Sequence, residues 1–86
     1  MLAAVETAWL FVRGVQSVRI IRAATLRGDV HLHIKGPGTE QESHTFHDVI
    51  DCMHFQADFE RRLVGRGFAL ERFTSDRRSA ARRERP

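Results

Sequence analysis

The chain has 86 residues, 14 Lys or Arg against 11 Asp or Glu, a formal net charge of +3, 42% hydrophobic residues and a single cysteine. That length fits one domain with one small core, and a lone cysteine excludes an internal disulfide. No apolar run reaches the ~18 residues of a membrane-crossing helix, and the opening residues lack the charged start and long apolar stretch of a signal peptide, so a cytoplasmic protein is expected.

Residues 1–7 show no clear pattern. Residues 8–13, AWLFVR, are aromatic and β-branched and predict a strand. Its two sides are both apolar: Ala8, Leu10 and Val12 on one, Trp9 and Phe11 on the other. After a turn at residues 13–17, residues 18–23, VRIIRA, predict a second strand. A turn containing Gly28, which tolerates positive φ, leads to residues 30–35, VHLHIK, the cleanest alternation in the chain. Val30, Leu32 and Ile34 point one way, and His31, His33 and Lys35 the other. Short connections make these three an antiparallel meander. Gly36-Pro37-Gly38 then ends the third strand, and the polar stretch up to His44 reads as a loop.

Residues 45–65, TFHDVIDCMHFQADFERRLVG, predict the one long helix, with Thr45 as N-cap and Asp48 three residues on. Acidic Asp48 and Asp51 suit the positive end of the helix dipole, and Arg61, Arg62 and Arg66 suit the other. Gly65 or Gly67 supplies the stop. At about 100° per residue, Phe46, Val49, Ile50, Met53, Ala57 and Val64 form one apolar stripe, and Cys52, Phe55, Phe59 and Leu63 a neighbouring one. Together they exceed the face that a helix needs to lie on a single sheet. The excess reads either as the few exposed apolar residues common on a small protein or as a second contact, most simply with another copy of the chain through Cys52, Phe55, Phe59 and Leu63. The aromatic face of strand one is the other surface for self-association. Cys52, set among these apolar neighbours, reads as a small buried hydrophobe.

Residues 68–73, FALERF, predict a fourth strand. A helical crossover would return it parallel to strands one and three and beside strand one, giving order 3-2-1-4, with order 1-2-3-4 as the alternative. The fold expected is therefore α+β: a βββαβ domain over residues 1–73, with the helix on one face of the sheet. A flexible arginine-rich tail is expected over residues 74–86.

No nucleophile–base pairing or cofactor motif is present, so a non-enzymatic binding or regulatory module is expected. His47, Asp51, His54 and Asp58 fall along one helix face, and His31 and His33 share one strand face. Neither pattern has a recognised zinc spacing, and a solvated surface with ordinary His–Asp pairing accounts for both; no metal or cofactor is expected. The alternative function is nucleic-acid binding. Trp9, Phe11, Arg19, His31, His33 and Lys35 would supply a stacking and cationic surface. Arg77, Arg78, Arg82, Arg83 and Arg85 would add affinity for RNA or DNA phosphates.

Taken as a group, W-L-F-V-R, S-V-R-I-I-R, G-P-G, T-F, F-Q-A-D-F-E and R-F-T-S-D-R-R resemble a set of short uncharacterised bacterial proteins with an aromatic first strand, a GPG loop, a helix with F-Q-x-x-F-E and an arginine-rich end. The resemblance spans most of residues 8–78. It implies no activity and assigns no site residue. The partner expected is a second copy of the chain, with RNA or DNA as the alternative.

Overall fold

In the computed structural model, which describes residues 5–76, the chain opens with β1 (Val5–Arg13), β2 (Gln16–Ala24) and β3 (Val30–Lys35). These pair antiparallel, with Trp9 opposite Ile20 and Ile20 opposite Ile34. Then come β4 (Gln41–Phe46), α1 (Val49–Gly65) and β5 (Ala69–Asp76). The result is an α+β domain: one five-stranded antiparallel sheet, ordered β4-β3-β2-β1-β5, with a single helix on one face.

The meander, the helix and the placement of the last strand beside β1 match the expected order. Four details differ. Residues 41–46 are a strand rather than a loop, pairing with β3 from Gln41 opposite Lys35 to Phe46 opposite Val30. This edge strand keeps most of its side chains in water, so it lacks the apolar alternation that marks an inner strand. The added strand reverses the chain once more, so β5 runs antiparallel to β1, not parallel. It also moves the start of α1. Thr45 stays extended opposite His31, and Asp48 becomes the N-cap, its Oδ1 accepting the Ile50 N–H at 2.9 Å. The last strand continues to Asp76, so residues 74–76 belong to the sheet rather than to a tail. Arg77, Arg78, Arg82, Arg83 and Arg85 lie outside the described residues.

The helix ends in a Schellman motif. Gly67, at φ +97°, turns the chain. Its N–H donates to the Val64 carbonyl, and the Phe68 N–H donates to the Leu63 carbonyl. The Arg13 guanidinium closes this end from β1, donating to the Arg66 carbonyl at 2.6 Å and lying over the Phe68 ring.

Phe11, Val18, Ile20, Val30, Leu32 and Ile34 from the sheet meet Cys52, Leu63 and Phe68 to form the core. Strand alternation fixes the sheet side of this list: odd residues of β1 and even residues of β2 and β3 face α1.

Gly36 is the tightest backbone approach. At φ +99°, a Cβ on it would sit 2.3 Å from the Ser17 carbonyl oxygen. Gly36→Ala combines an unfavourable φ with a backbone collision, and is expected to destabilise the domain by more than about 1 kcal/mol. A fall in the urea unfolding midpoint checks this; an unchanged midpoint would mean that the β3–β4 turn and β2 separate without cost.

Candidate functional site

The helix lies nearest β3 and β4, off the centre of the sheet. Five strands at ~4.8 Å spacing span roughly 19 Å, whereas a helix with its side chains is ~10 Å across. Among the described residues, the β5 edge of this face is therefore left without a helix, whereas Phe11 of β1 is covered.

A polar link holds α1 in its lane. The Arg22 Nη1 of β2 donates to Gln56 Oε1 at 3.2 Å, and Gln56 Nε2 donates to Glu60 Oε2 at 2.7 Å. Gln56 is buried and each end of its amide is hydrogen-bonded, as burial of a polar group requires. Arg22 also lies over the Trp9 ring, 5.0 Å from its centroid, and Trp9 packs on Phe73 with ring centroids 5.6 Å apart. On the other flank, Phe55 packs against His44 and Phe46 of β4.

These contacts decide which helix stripe is free. Cys52 and Leu63 are 0% and 2% exposed, and Phe55 and Phe59 are half-buried against the core. The stripe expected to self-associate is thus the one that packs on the chain's own sheet. The neighbouring stripe is the exposed one: Val49, Ile50, Met53, Ala57 and Val64. It borders the uncovered β5 edge of the sheet, which presents Leu70 at 51% and Phe73 at 58% exposure. A groove of about 470 Å³, lined by Phe11, Ala57, Glu60, Arg61, Val64 and Leu70, joins the two.

The surface expected to bind nucleic acid is divided between the two faces. Trp9 and Phe11 lie on the helix side, and Phe11 is only 3% exposed. Its burial is forced by register: it sits opposite Val18, inside the core. Arg19, His31, His33 and Lys35 share the opposite, open face. There His31 and His33 pair through Nδ1 with Thr45 and Ser43 of β4, at 3.1 and 2.8 Å. The cations thus stand on the open face, without the aromatic rings intended to stack bases.

The helical row of His and Asp residues is also redistributed. His47 precedes α1, and its Nδ1 pairs with Asp29 Oδ1 at 3.0 Å. That hydrogen bond, with the His47 charge, lowers the Asp29 pKa against a smaller opposing effect of burial. Asp58 pairs with Arg61. Among the described residues, no three His, Cys, Asp or Glu side chains converge as a ligand set, and no helix is long and apolar enough to cross a membrane.

Comparison with known proteins adds no function: no family model matches the chain, and no significant match was found to a curated protein or to a solved structure.

Two local measurements check this geometry. Burial pushes the Cys52 thiol up, against a smaller opposing effect of the Arg22 charge. At pH 8, Cys52 in the native protein is expected to alkylate at least about tenfold more slowly than in the urea-unfolded chain; equal rates would put the thiol at the surface. Replacing His47 with Ala is expected to raise the Asp29 pKa, followed by its side-chain carboxyl resonance in an NMR titration. A resonance that titrates as before would show that the pair does not form in solution.

Proposed function

We propose that this domain is a non-enzymatic binding module that pairs with a second copy of itself through the apolar corner between α1 and β5. One observation carries the reading: among the described residues a five-stranded sheet is covered by a single, off-centre helix, which leaves a lane at the β5 edge, with Leu70 and Phe73 exposed beside an exposed apolar helix stripe.

The free helix stripe and the free lane are complementary in kind. The stripe offers Met53, Ala57 and Val64, and the lane offers Leu70 and Phe73 beside the half-buried Trp9. A two-fold arrangement sets the surplus flank of each helix against the other copy's lane, so both surpluses are buried by one self-complementary contact. Ala57 is the small residue in the middle of the stripe and allows close approach there. A second copy is always present at the concentration of the first, and a domain this small gains most from extra apolar burial. Ala57 and Val64 of the stripe share one groove with Leu70 of the lane, which distinguishes this corner from exposed apolar residues at turns such as Val15 and Leu26.

Val64→Glu and Phe73→Glu, made separately, place a charge in the corner at positions that are already largely exposed, so the folded monomer is expected to persist. Light scattering behind size exclusion should give twice the 9.9 kDa chain mass for the parent protein at low and high salt, and the single mass for each variant, with unchanged far-ultraviolet circular dichroism. A parent protein that stays monomeric across the concentration series, or variants that remain dimeric, would rule out this interface.

A further inference from the structure

The face of the sheet away from α1 has a different chemistry. Ala8, Leu10 and Val12 of β1 and Ile21 and Ala23 of β2 form a half-buried aliphatic floor. Register then brings cations into a single row across it. Lys35 is opposite Arg19, Arg19 is opposite Leu10, and Leu10 is opposite Arg72. Gln41 ends the row on β4, so the row holds three cations and no carboxylate. Among the described residues none of the three makes an ion pair.

Like charges set directly opposite each other destabilise a sheet. The Arg19–Lys35 pair therefore opposes folding, and Arg72 adds a third positive charge across Leu10. The same charges become favourable when an anion lies over the row. Guanidinium groups suit carboxylate or phosphate because their paired N–H donors match two oxygens. The surface is also shaped to receive a molecule. A hollow of about 330 Å³ lies over Ala8, Leu10, Arg19, Ile21, Arg72 and Thr74. A second hollow continues past Leu10 and Arg19 to Lys35.

We infer that this face binds a small amphipathic anion. Its carboxylate or phosphate sits over Leu10 between Arg19 and Arg72, and its aliphatic body lies over Ala8 and Ile21. Glu6 also lines the hollow, four residues from Leu10 along β1, at a distance of roughly 13 Å. Its carboxylate repels a charged group at that end. It therefore orients the ligand with its anionic head at the cation row, and limits the length of the body. Trp9 is the one aromatic residue among those lining the hollow, and its ring is engaged on the other face by Arg22 and Phe73. The floor therefore offers aliphatic contact rather than the aromatic stacking that holds nucleic-acid bases.

The test is an NMR titration of the full chain with decanoate, decyl phosphate, inorganic phosphate and a single-stranded thymidine oligonucleotide. Decanoate or decyl phosphate should shift the amides of Ala8, Leu10, Arg19, Ile21, Arg72 and Thr74 saturably. Which of the two binds more tightly names the head group. The Arg19→Gln, Arg72→Gln double variant, altered only at exposed side chains, should keep a dispersed spectrum and bind at least tenfold more weakly. Inorganic phosphate should bind far more weakly than decyl phosphate. The inference is overturned by the absence of saturable shifts with both amphiphiles, by undiminished binding in the double variant, or by inorganic phosphate binding as tightly as decyl phosphate. It is overturned in favour of nucleic acid if only the oligonucleotide shifts the row.

Discussion

A sheet five strands wide cannot be covered by one helix, and the rest of the molecule is arranged around that mismatch. The helix does not rest in the middle and share the shortfall between two edges. It lies toward β3 and β4, and Cys52 and Leu63 share one core with Phe11 of β1 and the branched side chains of β2 and β3. That choice buries the most regular apolar rows and concentrates the deficit at the β5 edge, where Leu70 and Phe73 are exposed. The uncovered lane follows from the width of the sheet and the position of the helix, not from any single exposed residue.

The position is fixed at three points of different chemistry. Asp48 caps the start, and Gly67 with the Arg13 guanidinium closes the end. Between them, Arg22, Gln56 and Glu60 form a directional link from β2 to the middle of the helix. Apolar packing alone is non-directional, so Cys52 and Leu63 would tolerate small shifts of α1 across the sheet. The Arg22–Gln56 hydrogen bond would not, because moving the helix would leave the buried Gln56 Oε1 without its partner. The polar link thus gives the lane a defined wall, which any partner lying in it would meet.

The parts legible in the sequence were those whose pattern comes from burial. Val30, Leu32 and Ile34 alternate because one side of β3 is fully covered, and that predicted both the strand and its orientation. The apolar content of β1 on both sides marked it as an inner strand, and it lies between β2 and β5. The β4 strand was illegible because its stability comes from backbone pairing to β3, which leaves no trace in side-chain polarity. That omission carried forward to the direction of β5 and to the position of the helix cap. Between the two helix stripes, periodicity alone is symmetric: each is apolar at helical spacing. What separates them is size and continuation. Phe55, Phe59 and Leu63 lead directly into Phe68, so the bulkier stripe continues into the core past the end of the helix.

The same alternation that buries one side of each strand also sorts charge. On β2, Arg22 falls on the helix side, where Gln56 and the Trp9 ring engage it, and Arg19 falls on the open side, where register sets it against Lys35. Two arginines three residues apart therefore enter opposite environments, one within a bonded network and the other in a row of like charges. The two surfaces are correspondingly different in kind. The helix side presents a lane with aromatic and aliphatic side chains, matched to an apolar partner. The open side presents an aliphatic floor crossed by cations, matched to an anion. Because the sheet separates them, a partner seated in the lane leaves Leu10, Arg19 and Arg72 uncovered, and the proposed pairing of two copies would carry two such open faces on its outer sides.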